Sequence, residues 1–193
     1  FLLYDDNPIN HLKRSKKYAK KIFNKHEIAD FQKKKEIKIK IGYFSEDFRD
    51  HPVTHMITSI LELHDKNIFE IILYSFTRKE DFYTNKLKNL GCIFKDIKDF
   101  NETQTIELVR SDNLNIAIDL MGYTGNNRYF IFRNRIAPVQ INYLGFPGTM
   151  GSKTYDYIIG DKLIIPKKDE RFYTEKIIRL KHFFPPNSCN RDI

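Results

Sequence analysis

The sequence contains no tryptophan, only two cysteines and no long hydrophobic run. Cys92 and Cys189 lie far apart and neither belongs to a CxxC pair, so both thiols are expected to be reduced, as is usual in the cytoplasm. No stretch approaches the roughly 18 apolar residues that a membrane-spanning helix needs. The chain begins FLLYDDNP, without methionine and without the layout of a signal peptide. These absences predict a cytoplasmic protein with no membrane partner, whose chain starts inside a longer one.

Several motifs that mark catalytic centres are also missing. There is no DxD pair, no HExxH motif and no cysteine cluster, so no metal site is predicted. The GxSxG elbow of hydrolases is absent, as are the Walker and GxGxxG phosphate-binding motifs. The composition is nevertheless that of a folded domain, since 41% of the 193 residues are hydrophobic and 30% are charged. The chain is therefore expected to bury one core and to contain no metal centre or hydrolase triad.

The hydrophobic pattern alternates between strand-like and helix-like segments. Asn7 is placed to cap a helix that Pro8 begins, and apolar residues recur at helical spacing as far as Phe23. Apolar runs predict buried strands over residues 36–45, 69–76, 92–97, 114–122 and 138–145. Helical patterns follow over residues 53–63, 81–91, 101–113 and 127–137. This alternation predicts an α/β fold with a Rossmann-like, doubly wound parallel sheet over residues 36–193, after a connector helix and basic linker over residues 1–35.

The positive charge is concentrated near the N-terminus. The formal net charge is +8, yet residues 13–40 hold 12 basic against 3 acidic side chains, whereas residues 41–193 hold 21 against 20. Such a run is usually the solvated face of a helix, so nucleic acid is not an expected partner. The alternative is a non-catalytic Rossmann-like binding module whose basic helix docks on RNA or on an acidic protein, with a strongly salt-dependent affinity.

In a doubly wound sheet, ligands bind beyond the carboxyl ends of the strands. The first strand is followed by DFRDHPVTH, in which His51 precedes Pro52 at the start of a helix. An imidazole there is suited to accept a proton or to hydrogen-bond a substrate, and a polar helix cap without chemistry is the alternative. The fourth strand runs into the glycine-containing turn MGYTGNNR, and the fifth into the longer loop YLGFPGTMGS. A tight turn explains the first of these segments, whereas the length of the second favours a ligand.

These segments, in this order and at these spacings, resemble the O-linked N-acetylglucosamine (O-GlcNAc) transferase or SPINDLY-like family, glycosyltransferase family 41. The similarity extends over residues 36–185 and is most specific in IAIDLMGYTGNNRYFIFRNRIAPVQINYLGFPGTMG. It implies the N-terminal lobe of a GT-B enzyme that transfers N-acetylglucosamine from UDP-GlcNAc to protein Ser/Thr hydroxyls with inversion, without a metal or another cofactor. The leading helix resembles the connector that follows the tetratricopeptide repeats of the family.

The resemblance also implies site residues and partners. His51 matches the active-site histidine of the family, and the matches that line or flank the sugar pocket are Gly122, Tyr123, Thr124, Leu144, Gly145, Pro147, Gly148 and Thr149. An additional histidine of animal enzymes has no match, and Arg110 and Asn115 stand in its neighbourhood. The implied partners are a nucleotide-sugar donor, protein acceptors, and the C-terminal UDP-binding lobe and repeats, which have no counterpart in these residues. The lone lobe is therefore expected to transfer nothing measurable, and an inactive remnant with the same fold is a third alternative.

Overall fold

The computed structural model describes residues 7–23, 31 and 37–186 of the chain. Most of the expected basic linker, and Cys189, lie outside these residues. The strands of the described part are β1 Ile39–Ser45, β2 Phe69–Ser75, β3 Ile93–Asp96, β4 Ile116–Asp119, β5 Val139–Asn142, β6 Tyr157–Gly160 and β7 Lys176–Arg179. They form one sheet in the order β3-β2-β1-β4-β5-β6-β7, and every neighbouring pair is parallel. The predicted doubly wound parallel sheet is therefore confirmed.

The centre of the sheet is formed by the two longest strands. β1 and β2 pair along their whole length, from Ile39 opposite Phe69 to Ser45 opposite Ser75, and the last five residues of each are buried. β4 lies on the other side of β1. Because both faces of these strands are covered, their sequences are nearly continuous apolar runs, which is why they could be recognised without the structure.

The helices of the described part are α1 Pro8–Ile22, α2 Pro52–Leu63, α3 Phe82–Lys88, α4 Glu102–Ser111 and α5 Tyr129–Arg133, with a 3-10 helix at Lys167–Phe172. The cap predicted at Asn7 is confirmed, since its side chain accepts hydrogen bonds from two amides of the first turn of α1. Asn101 caps α4 in a reciprocal capping box with Gln104. The starts of these helices thus follow from local side-chain chemistry.

Hydrophobic side chains fill both faces of the sheet. Ile41 and Tyr43 belong to the cluster on one face and Phe44 to the cluster on the other, as the alternation of side chains along a strand requires. The ring of Phe44 stacks on that of Tyr74 with the ring centroids 4.4 Å apart. Phe23 of the α1 region is 3% exposed within the same cluster as Phe44, so the leading helix packs directly on the lobe.

Three local features differ from the sequence-based expectation. β6 and β7 were not predicted as strands, because each has only four residues and β7 is an edge strand with largely exposed side chains. The helical pattern over residues 127–137 yields the shorter helix α5, which ends before Arg135 at φ +47°. The strands predicted over residues 114–122 and 138–145 stop at Asp119 and Asn142, and each is followed by a residue with positive φ, Gly122 at +53° and Leu144 at +73°.

Candidate functional site

The loops that follow β1, β4 and β5 meet at the carboxyl edge of the sheet and enclose a cleft of about 370 Å³. The chain leaves β1 towards β2 on one side, whereas β4 adjoins β1 on the other, so the cleft lies at the switch point of the strand order. Ligands of doubly wound folds bind at this position. The residues that line the cleft are Glu46, Asp47, Arg49, His51, Val53, Met121, Thr124, Gly125, Asn126 and Gly145.

His51 lines the cleft and also begins α2. Its backbone is extended, at φ −155° and ψ 145°, as expected for a residue before proline, and Pro52 is the first helical residue. The Nδ1 atom of the imidazole accepts a hydrogen bond from the amide of Val53 at 3.3 Å. The side chain is 33% exposed. His51 therefore caps α2, as the second interpretation predicts, and it also lines the cleft, as the first requires.

Asp47 is a buried carboxylic acid in the same wall of the cleft. The residue is 6% exposed, and its Oδ2 atom lies 3.5 Å from Nδ1 of His51. Its Oδ1 atom lies 3.6 Å from the guanidinium of Arg49. Burial raises the pKa of Asp47 above the ordinary carboxyl range, against the opposing influence of His51 and Arg49. The carboxyl group thus directly adjoins the imidazole that the sequence singles out.

A buried aspartate shapes the turn after β4. The Oδ1 atom of Asp119 accepts hydrogen bonds from the amides of Met121 and Gly122 at 2.9 and 3.0 Å, and its Oδ2 atom accepts one from the hydroxyl of Tyr155 at 2.6 Å. Burial raises the pKa of Asp119, whereas these hydrogen bonds act in the opposite direction. Gly122 has a φ of +53°, and a Cβ there would lie 2.5 Å from Cβ of Phe146. The turn therefore requires glycine, as a tight turn predicts.

The two residues after Gly122 connect the turn to its surroundings. The hydroxyl of Tyr123 donates to the carbonyl oxygen of Met150 at 2.6 Å, which ties the turn to the loop after β5. The hydroxyl of Thr124 donates to the carbonyl oxygen of Met121 at 2.7 Å. Thr124 lines the cleft, whereas Gly122 and Tyr123 are not among the lining residues.

The loop after β5 places Gly145 in the wall of the cleft. A Cβ at this position would lie 2.0 Å from the carbonyl oxygen of Leu120, so the two loops touch through their backbones. Of the other loop residues that the resemblance implies, all of which the structure describes, none lines the cleft. Leu144 is 5% exposed in the hydrophobic core. The carbonyl oxygens of Pro147 and Gly148 accept hydrogen bonds from neighbouring side chains.

Thr149 is held by a buried glutamate that the sequence analysis did not single out. Thr149 is 3% exposed, and its hydroxyl donates to Oε2 of Glu175 at 2.7 Å. The Oε1 atom of Glu175 accepts from the amide of Met150 at 2.6 Å. Burial raises the pKa of Glu175, although these hydrogen bonds oppose the increase. Glu175 thus braces the loop from 25 residues further along the chain, and only the folded structure reveals that contact.

Glu46 and Asn126 join opposite sides of the cleft. The side-chain amide of Asn126 donates to Oε1 of Glu46 at 2.8 Å, which links the loop after β4 to the loop after β1. Neither residue was singled out from the sequence, and the signal available was their position just after predicted strands. Arg110 and Asn115, by contrast, form structural contacts: Arg110 donates to the carbonyl oxygen of Asn134, and Asn115 accepts from the amide of Lys40, at the amino end of β4.

No group of three or more His, Cys, Asp or Glu side chains in residues 7–23, 31 and 37–186 is arranged to hold a metal ion. None of the helices in those ranges is long and apolar enough to cross a membrane.

Comparisons with known proteins agree on one family. The model of glycosyl transferase family 41 matches residues 12–186. The SPINDLY protein of Arabidopsis thaliana is 35% identical over 150 residues, which cover 76% of this chain and 16% of that protein. The UDP-N-acetylglucosamine–peptide N-acetylglucosaminyltransferase of Caenorhabditis elegans is 34% identical over 149 residues, which cover 76% of this chain and 13% of that protein.

A solved structure gives the same result. A lysine-to-methionine mutant of the Thermobaculum terrenum O-GlcNAc transferase superposes with a TM-score of 0.88 at 29% identity, over 96% of this chain and 36% of that one. The chain therefore spans less than a fifth of the curated relatives named above. Because the family model covers most of the chain and the fold agrees, this protein belongs to glycosyl transferase family 41.

Proposed function

We propose that this chain is the N-terminal catalytic lobe of a protein O-GlcNAc transferase, an inverting enzyme that moves N-acetylglucosamine from UDP-GlcNAc to serine and threonine hydroxyls. The observation that carries the proposal is the cleft at the switch point, where loops bearing His51, Thr124 and Gly145 meet. In support, the relative from Caenorhabditis elegans is named as a UDP-N-acetylglucosamine–peptide N-acetylglucosaminyltransferase and the structure from Thermobaculum terrenum as an O-GlcNAc transferase.

The charges of the cleft support a division of labour between two lobes. Its lining contains two carboxyl groups, of Glu46 and Asp47, and one guanidinium, of Arg49. Two carboxyl groups against one guanidinium do not attract a diphosphate, and the Val53 amide at the N-terminus of α2 already donates to the His51 ring. The cleft suits the neutral sugar and the acceptor hydroxyl better. We therefore assign diphosphate binding to a second lobe, beyond the residues described.

The proposed roles of the site residues follow from where they lie. His51 would orient the donor or acceptor or assist removal of the hydroxyl proton, because its ring faces the cleft. Thr124 and Gly145 would contact the sugar directly. The other predicted sugar-pocket residues would act by holding these two loops in place: Gly122, Tyr123, Leu144, Pro147, Gly148 and Thr149.

We further propose that the reaction takes place in the cytoplasm, in keeping with a sequence that has only two cysteines and no CxxC pair. Protein acceptors would be selected by tetratricopeptide repeats, to which α1 would be the connector. The amphipathic α1 supports that connection, because one side of the helix is buried on the lobe at Ala19 while its lysines are exposed.

The test is a transfer assay with UDP-GlcNAc and an acceptor protein. Reading the transcript through both ends of these 193 residues identifies the protein to assay. We expect turnover by a protein that continues into a second α/β lobe, and none by the 193-residue chain alone. Turnover by the isolated chain would disprove the two-lobe proposal, and an inactive two-lobed protein would favour the remnant.

Substitutions at His51 separate chemistry from folding in that assay. His51→Ala removes both the imidazole and the helix cap, and loss of a cap costs about 1 kcal/mol of stability. His51→Asn removes the imidazole but keeps a good N-cap, so its stability should match that of the parent protein. We expect both variants to lose transfer activity by at least about 100-fold, the range of positioned acid–base groups. Full activity of His51→Asn would exclude a role for the imidazole.

The competing function is a binding module that uses its basic helix. Six basic side chains of α1 are exposed, which is the observation in its favour: Lys13, Arg14, Lys16, Lys17, Lys20 and Lys21. It predicts tight binding of a generic RNA, with an affinity that falls steeply as salt rises. A salt titration of the whole chain with such an RNA decides the matter, because a transferase lobe with a merely solvated helix face would bind weakly at physiological salt.

A further inference from the structure

Two groups compete for the Nδ1 atom of His51. The amide nitrogen of Val53 lies 3.3 Å away, and the Oδ2 atom of Asp47 lies 3.5 Å away. The amide is a donor and needs Nδ1 without a proton, whereas a carboxylate is an acceptor and needs a proton on Nδ1. The ring can therefore satisfy only one of these neighbours at a time.

The outcome of this competition determines whether the other ring nitrogen, Nε2, is a hydrogen-bond donor or an acceptor. A neutral imidazole carries a single proton. When the amide of Val53 engages Nδ1, that proton is on Nε2, and Nε2 is a hydrogen-bond donor. When Asp47 engages Nδ1, the proton moves to Nδ1, and Nε2 becomes an acceptor. The second form is the one that can take a proton from a hydroxyl.

Asp47 is fixed where it can exert this control. Its amide donates to the hydroxyl of Ser45 at 2.9 Å, and its carbonyl oxygen accepts from the hydroxyl of Thr54. Its side chain is 9% exposed, so the charge is poorly screened by water. The backbone and burial thus hold the carboxyl group beside the ring.

The other charges near the ring come from the same loop. Glu46 and Arg49 line the cleft together with Asp47, whereas Asp50 is engaged by His55 at 2.9 Å. The cleft-lining residues contributed by the loops after β4 and β5 are uncharged: Met121, Thr124, Gly125, Asn126 and Gly145. Among the described residues, Asp47 is therefore the acidic group placed to act on Nδ1.

Building on the proposed transferase function, we propose that Asp47 is a positioning residue that determines which ring nitrogen of His51 carries the proton. Its ionised carboxylate favours the form with the proton on Nδ1, which leaves Nε2 as an acceptor on a ring that lines the cleft. The change of form releases one proton from Nε2 to water and takes up one at Nδ1, so the ring stays neutral. Val53 opposes this effect, and the two forms coexist.

The test is nitrogen NMR of the histidine rings in the whole chain, labelled with ¹⁵N-histidine, at a pH where the ring is neutral. The ring shifts distinguish the two forms, and His51→Asn assigns the signal. We expect the wild-type protein to contain a substantial population with the proton on Nδ1. Asp47→Asn should shift the ratio of the two forms towards the proton on Nε2 by roughly threefold to tenfold, the range of a typical net hydrogen-bond contribution.

Asp50→Asn is the matched control, because it removes a carboxylate of the same loop that contacts His55 instead. It should alter the His55 signals and leave the His51 ratio unchanged. The proposal is overturned if wild-type His51 carries its proton on Nε2 alone, if Asp47→Asn leaves the ratio unchanged, or if Asp50→Asn changes it equally. Should Asp47→Asn fail to fold, Asp47→Ser and the wild-type spectrum decide. No sugar donor is needed, so this result is independent of the transfer assay.

Discussion

Gly145 occupies a position in the cleft wall where there is no room for a side chain. A Cβ would lie 2.0 Å from the carbonyl oxygen of Leu120, which is a backbone atom just beyond β4. The loops must therefore separate if any side chain is added. We expect Gly145→Ala to lower the free energy of unfolding by about 2–3 kcal/mol, the upper part of the usual range for overpacking, because the atom in the way belongs to the backbone. Urea denaturation at equilibrium measures this loss.

Gly125 is the control on the other side of the cleft. Its φ is +39°, but the nearest atom to an added Cβ, Cε of Met121, is 3.7 Å away. Gly125→Ala should therefore lose only about 1 kcal/mol, through backbone conformation alone. An equal loss in the two variants would show that contact with Leu120 is not what requires a glycine at position 145.

Asp119, in the turn after β4, should make the stability of the folded protein depend on pH. Burial raises its pKa in the folded protein, against the hydrogen bonds of Tyr155, Met121 and Gly122. An acid with a raised folded pKa stabilises the fold at low pH, and this stabilisation is lost as pH rises from the ordinary carboxyl range through the folded pKa. Asp119→Asn keeps the acceptor for the two amides and removes the ionisation.

We therefore expect the stability of Asp119→Asn, relative to the wild-type protein, to increase with pH above about 4. The increase is limited to about 1.4 kcal/mol per pH unit, because one proton is involved. Urea denaturation of both proteins at a series of pH values provides the comparison. Parallel pH profiles would mean that Asp119 is as easily ionised in the folded as in the unfolded chain.

Residues of the site differ in how far their positions and contacts could be predicted from the sequence. His51 was recognisable because it precedes a proline at the end of a strand, and both features are local. Asp47 is only four positions earlier, but its burial and its approach to Nδ1 depend on how the loop folds back. Glu175 had no local signal, since its partners Thr149 and Met150 come from another loop.

At the scale of secondary structure, α1 packs against the loops that follow β4 and β5. A Cβ on Gly151 would lie 2.5 Å from the backbone of Ser15 and Lys16, so the helix rests on the end of the loop after β5. The ring of Tyr18 contacts that of Tyr123 edge-on, with the ring centroids 5.1 Å apart. The helix expected to be a connector therefore touches both glycine-containing segments, and its position is coupled to theirs.

Phe23 is the anchor of this contact. It packs edge-on against Tyr155 and is 3% exposed. Phe23→Ala is expected to lower the free energy of unfolding by about 3–4 kcal/mol, as for other buried aromatic residues. Lys17→Ala, on the exposed side of α1, should change it by less than about 0.5 kcal/mol. A small effect of Phe23→Ala in denaturation experiments would mean that α1 does not fold as part of the lobe.

The elements that the sequence predicted are those with strong local signals. Asn7 and Asn101 mark the starts of their helices in the sequence, because a short polar side chain can accept hydrogen bonds from the free amides of the first turn. β1 and β2 are recognisable as nearly continuous apolar runs, because they are buried on both faces. β6 and β7 give little signal, since short strands near the edge of a sheet need few apolar residues.

At the scale of the whole molecule, the cleft is one wall of the proposed active site. The two-lobed transferase that we propose handles the charge of the departing diphosphate with protein groups. Transfer by that complete protein should therefore continue within about twofold in excess EDTA, because no step calls for a Lewis acid. The rate of UDP release with and without EDTA measures this. A loss of rate that Mg²⁺ or Mn²⁺ restores would contradict the metal-independent reaction.

The sequence by itself determined the class of fold, because strand and helix periods are local and their alternation leaves few topologies. It also placed His51 and the two glycine-containing segments at the ends of strands. The tertiary structure decided which of those residues meet: Gly145 reaches the cleft, whereas Leu144 and Thr149 turn inward. It also brought Asp47 to His51 and Glu175 to Thr149. Contacts between separate loops depend on how the whole sheet packs, and no local pattern encodes that.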